Sequence, residues 1–587
     1  MIDTQPVTEL SNPLTEQLDT ASPEGFARLL RQADAQIFAG WREHPSLADR
    51  ECLLQMARFS ERLARVFAAK DQGAVVLSGA GTSGRLAVFL AKELNRQLRV
   101  FRLPEVFSAC VAGGEAALIQ PVEGAEDRAA AAVEELKALL RKETKVGLFV
   151  GISAGLSAPY IAAQLESLRP NAAWAASVLG FNPLSQARAT RAEADQISFA
   201  DALAPWSAEP DRFFPLTPVY GPEALRGSTR LKGGTSTKML LEVCFQLALE
   251  LRGIDEERPA LPEPDADPDR EALVDRLRMI LSEYREALES AYADVSAVGS
   301  LVKLGGNALR SAGRIYYLAR GTAGRMAMLD AAECPPTFGA DPGDVRAFLQ
   351  EGWGSWLEDG RDLATLGKNY TIDLESFEES FLPEVSRGDL VVVPTIGPVG
   401  DRLRGLLEAC HEARAKTAVV WVSPLAPKPD ERPDNIDLLL HIHVPALGFR
   451  PGYFNMAETA LKLVLNALTT GAHAMSGRIY GNSMIDLRLS NTKLYARSVK
   501  TIQTLLGLPA EQPAAEALHR AVFQTDTPTP EQLAAPPMEV VKLAGERRGI
   551  VPRALLIGTG KFTCSEAGRA LADDPVVRRA VMRALTG

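Results

Sequence analysis

Two short stretches of this chain carry residues suited to holding an anion. In VVLSGAGTSGRLAVFLAKEL, residues 75–94, a run of small and hydroxylated residues lies between an apolar run and a helix-patterned one. A loop joining a strand to a helix start turns free backbone N–H groups and the positive end of the helix dipole toward its occupant, which favours phosphate. Gly79, Gly81 and Gly84 let the backbone come close to such a group, and Thr82 and Ser83 add hydroxyl donors. The string GAGTSG also satisfies GxGxxG, so a dinucleotide is the competing occupant and a plain tight turn is the third reading. Thr-Ser inside the loop suits a terminal phosphate better than a bridging pyrophosphate, and a second copy of the loop, ARGTAGR at 319–325, lacks the GxG start.

The copies differ where the chemistry would be. Ser83 is replaced by Ala323, and GISAGLS (151–157), with Ser153 and Ser157, corresponds to PTIGPVG (394–400), whose matching position is apolar. A single phosphate site in the first copy, built from Gly81, Thr82, Ser83, Ser153 and Ser157, is the economical expectation, with the second copy donating other groups.

Around each loop the pattern is one of short apolar runs alternating with helical segments, the rhythm of a parallel α/β sheet. In the first unit the strands are expected at AVVLSG, RVFRL, VFSACVAGG, VGLFVGIS and WAASVLGFN; in the second at RIYYLARGT, VRAFLQEG, DLVVVPTIG, TAVVWVSP and LLLHIHVPA. GTSGR and GTAGR superpose at an offset of 240, which also lays Glu93 on Glu333, and Lys238 lies over Lys462 at an offset of 224. Two anchors in one order indicate duplication. The expected division is a helical lead-in (1–70), a first unit (71–265), a second unit (266–497) and a helical C-terminal domain (498–587), with RPALPEPDADPDREAL as a linker.

The 587 residues carry a net charge of −10 with no run of Lys or Arg, so the footprint of a nucleic-acid or anionic-membrane binder is missing. Six cysteines without CxxC spacing argue against a disulfide framework and fit a reducing compartment. No basic segment followed by an apolar run opens the chain, and no 18-residue apolar stretch occurs, so a cytoplasmic protein is expected.

GAGTSGRL, AGGEAALIQPVEGAED, GSTRLKGGTSTK, AAECPPTFG and GNSMIDLRLSNTKLYARS resemble the N-acetylmuramic acid 6-phosphate etherase family of sugar isomerase (SIS) domain enzymes. Over the whole chain the likeness is greater to the glucokinase regulatory protein family, carried also by SNPLTEQLDTASPEGFARLLRQADAQIF, VGISAGLSAPYIAAQ, SVLGFNPLSQAR and the tail. The resemblance implies two tandem SIS domains, flavodoxin-like with mainly parallel sheets, forming an internal pseudo-dimer under a helical lid. In the etherase family the glutamate of ECPPT is a general acid and the last glutamate of VEGAED a general base, which places these roles on Glu333 and Glu126. Each unit keeps one motif only, so the resemblance implies one composite site: loops and Glu126 from the first unit, Glu333 from the second. Two carboxylates with separated pKa values suffice to remove an acidic proton beside an aldehyde and protonate a departing ether oxygen, without metal or other cofactor.

By the same resemblance Lys493 and Arg497 contact phosphate or sugar; the alternative is an exposed amphipathic helix face. Ser228, Arg230 and Lys232 of GSTRLK either contact ligand or cap the following helix. His441 and His443 share a strand face, but no third metal ligand accompanies them.

Two functions follow. The leading expectation, since both groups the elimination needs are present and the motif spelling favours it, is a lyase splitting N-acetylmuramic acid 6-phosphate into N-acetylglucosamine 6-phosphate and lactate. The other is a sensor that binds fructose phosphates and regulates a sugar kinase, favoured by the architecture. Aldose–ketose isomerisation is a third use of the same base. A monomer containing a pseudo-dimer, or a weak homo-oligomer, is expected.

Overall fold

The structure is a computed structural model describing residues 5–586 apart from 123, 192, 194–195, 255–269, 358–359, 446–454, 487, 490–491 and 546. Most of the expected linker lies outside the described residues. The chain opens with α1 (Pro23–Ala35), where the Ser22 hydroxyl accepts from Gly25 N and Pro23 takes the first helical position, and α2 (Arg50–Ala68). Phe26 and Leu30 from α1 and Leu53, Met56 and Leu63 from α2 are buried along one stripe of each helix.

The first unit is a parallel sheet in the order β2-β1-β3-β4, with β1 (Gly73–Gly79), β2 (Phe107–Val111), β3 (Val146–Ile152) and β4 (Trp174–Leu179). Residues 212–216 run beside β4 through the Leu216 N to Val178 O bond at 2.9 Å and parallel bridges. Helix α3 (Thr82–Val100) follows β1, α4 (Pro159–Leu168) follows the loop after β3, and α5 (Lys232–Leu251) closes the unit. The strand expected at RVFRL does not form. Leu86, Leu90, Leu94 and Leu98 continue one buried helical stripe, and this packing carries α3 through to Val100 against the β-propensity of Val and Phe.

Helices α6 (Arg270–Ala291) and α7 (Val295–Arg310) lead into the second sheet, order β6-β5-β7-β8-β9 and again parallel. Its strands are β5 (Ile315–Ala319), β6 (Val345–Leu349), β7 (Leu390–Ile396), β8 (Lys416–Ser423) and β9 (Leu438–His443), with α8 (Gly321–Ala332) after β5 and α9 (Asn455–Met475) closing the unit. Both faces of each sheet are covered, which is why the strands read as continuous apolar runs rather than alternating ones.

The units share one core. Side chains from the inner faces of both sheets, from α1 and α2, and from α5 and α9, which are buried along nearly their whole lengths, form one contiguous cluster, while the outer face of each sheet has its own smaller core. This is the pseudo-dimer. The C-terminal helices, starting with α10 (Thr492–Leu506), pack around a separate core of Ile502, Leu518, Leu555 and Val577 that also takes in Ile485 and Leu489.

Candidate functional site

In the first sheet the chain leaves β1 toward β2 on one side and β3 toward β4 on the other, so the loops after β1 and β3 flank a crevice at the strands' carboxyl ends. The loop after β1 is tight. A Cβ on Gly84 would lie 2.5 Å from Gly79 O and 2.5 Å from the Val111 side chain, so only glycine allows the helix start to close onto the strand end. Gly81 adopts φ 54°, and a Cβ there would meet nothing within 4 Å. The amides of Gly81, Thr82 and Ser83 have no hydrogen-bond partner among the described residues. Three donors at a helix start without partners are what an anion requires.

Across from this loop stands Glu333, from the second unit. It accepts hydrogen bonds from the Thr82 hydroxyl and, at 2.9 Å, from Arg85 Nη1, and its side chain is 8% exposed. Arg85 Nε also donates to Ala117 O at 2.8 Å, tying Glu333 to the loop that leads to Glu126. That loop is further held by Arg361, whose guanidinium pairs with Glu115 at 2.5 and 2.7 Å, and by Tyr370 OH bonding to Ala116 O at 3.2 Å. Glu126 lies in a short turn, Ala125–Asp127, that folds onto the end of β2. It is exposed and has no hydrogen-bond partner among the described residues.

The reciprocal contact exists. Glu93 of the first unit pairs with Arg325 of the second and, at 2.7 Å, with Arg96. Burial pushes the Glu93 carboxyl up, but the pull of Arg325 and Arg96 outweighs it and holds the group below the ordinary glutamate value. Arg85–Glu333 and Arg325–Glu93 are related by the 240-residue offset. Arg85 was missed as a site residue, although its presence in both GTSGR and GTAGR was the available signal.

Other candidates have different surroundings. Ser153 is buried and its hydroxyl accepts from Ser157 N at 3.1 Å and Ala158 N at 3.3 Å, so it shapes its own loop, while Ser157 is half-buried beside it. GSTRLK does not cap α5. The Glu223 carboxylate does so, accepting from Lys232 N at 3.0 Å and Gly233 N at 2.7 Å. Arg230 is buried and committed: its Nη2 donates to Asp330 at 2.5 Å and to Thr469 at 2.6 Å, and Asp330 also accepts from Asn466 at 2.7 Å and Tyr317 at 2.9 Å. It therefore bridges the loop before α5 to the helix that delivers Glu333. Ser228 is buried in the turn beside Gly227, and Arg497 Nη2 comes to 4.0 Å from the Cβ position of Gly227. Arg497, Arg226, Lys500 and Glu9 line a cavity of about 420 Å³ where the N-terminal segment, this turn and α10 meet. Lys493 is on α10, but its side chain lies outside the described residues. His441 Nε2 lies 3.1 Å from the Ser423 hydroxyl, and among the described residues no cluster of three His, Cys, Asp or Glu could hold a metal ion.

Family models described as the glucokinase regulatory protein N-terminal SIS domain, its second SIS domain and its C-terminal lid domain match residues 58–169, 292–421 and 481–581. The human glucokinase regulatory protein is 33% identical over 99% of this chain and 93% of its own length. The chain belongs to the glucokinase regulatory protein family. The Xenopus laevis regulator is 32% identical, covering 89% of this chain and 84% of its own. An N-acetylmuramic acid 6-phosphate etherase from Synechococcus sp. (strain CC9605) is 35% identical, but over 40% of this chain and 72% of its own. The regulatory-protein likeness therefore spans both units and the lid, whereas the etherase likeness is partial. Among the described residues no helix is long and apolar enough to cross a membrane.

Proposed function

We propose that this chain is a sugar-phosphate sensor that regulates a sugar kinase. The observation that carries this reading is the match to regulatory proteins along nearly the whole chain, lid included. In this reading the phosphate is held by the amides of Gly81, Thr82 and Ser83 with the hydroxyls of Ser83 and Ser157, and Ser153 keeps the neighbouring loop in shape. Glu333 and Glu126 meet sugar hydroxyls from opposite sides. Arg497 reaches in from the lid, Lys493 is a further contact candidate on the same helix, and Ser228 and Arg230 position the turn beneath. A ligand touching both units and the lid binds best to one arrangement of the three, and so shifts the population of surfaces offered to a kinase.

The lyase reading is second. ECPPTFG and VEGAED favour it, and Glu126, exposed and without a partner among the described residues, suits a base. Glu333 suits an acid less well, because both of its oxygens act as acceptors, toward Arg85 and Thr82. Calorimetry with fructose 6-phosphate, paired with a lactate assay on N-acetylmuramic acid 6-phosphate, tests the choice. The sensor reading expects one equivalent of fructose 6-phosphate bound, a loss of about tenfold or more in Ser83→Ala, and no lactate. Lactate release that disappears in both Glu126→Gln and Glu333→Gln would establish the lyase instead.

A further inference from the structure

The second loop faces a cavity of its own, of about 420 Å³, lined by Gly321 and Thr322 at the start of α8, by Arg325 and Glu351, and by Lys92, Arg96 and Arg99 from α3 of the other unit. The three α3 cations are not a relic of the duplication. At the 240-residue offset their counterparts are Ala332, Pro336 and Gly339, so the positions beside the first loop are uncharged. Among the described residues the walls here thus carry four cations and one carboxylate. Arg96 pairs with Glu93, and Arg99 bonds Glu105 at 2.8 Å.

Two observations point to an anionic ligand. The Glu351 carboxylate already sits at the helix start, accepting from Gly321 N at 3.0 and 3.2 Å, as an internal stand-in for an anion. Arg325, with its side chain 8% exposed, lines the cavity, and its Nε has no hydrogen-bond partner among the described residues. Lys92, Arg96 and Arg99 stand at i, i+4 and i+7 on one face of α3, a span of about 10 Å at 1.5 Å per residue. That exceeds a single phosphoryl group. We infer that this cavity is a second anion site, for a small molecule carrying two or more phosphoryl groups, one of which displaces the Glu351 carboxylate from Gly321.

The site is tested by calorimetry with inorganic pyrophosphate on the full chain carrying Ser83→Glu, which sets a carboxylate in the first loop. One equivalent is expected to bind, more weakly as salt rises and more tightly than inorganic phosphate. Lys92→Ala with Arg99→Ala should weaken binding about tenfold or more, and Glu351→Gln should strengthen it severalfold. Arg96 is left intact because it pairs with buried Glu93. Absence of saturable binding, or affinity unchanged by the double substitution or by Glu351→Gln, would overturn the assignment. Fructose 6-phosphate binding to a chain with the double substitution and an intact first loop reports separately on the first site.

Discussion

The Gly81 amide has no hydrogen-bond partner among the described residues, whereas at Gly321, its counterpart, the amide is occupied by Glu351. The φ values, 54° and 57°, are nearly the same. Behind the loops the resemblance holds, with each unit's arginine gripping the other unit's glutamate. In front it fails: Thr82 bonds Glu333, while Thr322 bonds Glu458 on α9 at 2.6 Å. The duplication thus kept the arginine–glutamate contacts that fasten the units together and changed those made by the loop threonines. Pairing across the interface serves stability in either half, but only one half needs to present open amides to one ligand.

This contrast extends to the central helices and predicts unequal costs. Lys238 on α5 is buried between Glu242 at 2.5 Å and Glu458 at 3.1 Å, while Lys462 on α9 donates to Arg230 O at 2.8 Å and to Asn466 at 2.7 Å, with no carboxylate in contact among the described residues. Lys238→Met strands two buried carboxylates and should cost about 3–5 kcal/mol. Lys462, pushed down to about 8 by burial, leaves neutral acceptors behind, so Lys462→Met should cost about 1–3 kcal/mol. Equal losses in denaturant unfolding would break the comparison.

Arg85→Met removes the cation paired with Glu333, and about 3 kcal/mol is expected. Arg325→Met should cost less, because Arg96 remains on Glu93. Thermal unfolding of both variants tests the order. Gly84→Ala should cost about 1–3 kcal/mol, since the new methyl meets Gly79 O and Val111 at 2.5 Å. In Gly324→Ala the nearest atom, at 2.8 Å, belongs to the Leu349 side chain, which can yield, so the loss should be smaller.

His473 marks a further asymmetry, since Leu249 occupies its counterpart at the 224-residue offset. Its ring stacks on Phe338 at 4.3 Å, and Nδ1 donates to Thr469 O at 2.7 Å, leaving Nε2 buried without a partner among the described residues. Burial pushes its pKa from 6.5 down to about 3. Between those values the unfolded chain binds a proton that the folded chain refuses. Stability therefore falls as pH drops through this window, by up to about 1.4 kcal/mol per unit. His473→Leu should flatten that part of the pH–stability curve. The smallest effect is expected at Glu126, exposed and unpaired among the described residues: Glu126→Gln should change stability by less than about 0.5 kcal/mol.

Much of the framework was legible because it is local. Strand runs, both glycine loops and the two offsets are patterns of near neighbours or of copied segments. RVFRL misled because its β-propensity was read without the leucine stripe running into it. The roles of Arg230 and Glu351 were not legible, since each depends on a partner chosen by packing: Asp330 lies 100 residues beyond Arg230, and Gly321 lies 30 before Glu351.

The sequence by itself determined two α/β units, a glycine loop in each, and Glu93 in register with Glu333, because backbone sterics, apolar periodicity and internal repetition are written along the chain. Only the tertiary structure decided that each glutamate crosses to the other unit's arginine, that one loop stays open and that a carboxylate fills the other. Those outcomes depend on how two sheets pack about a shared core, and no local pattern encodes which distant side chain will arrive at a helix start.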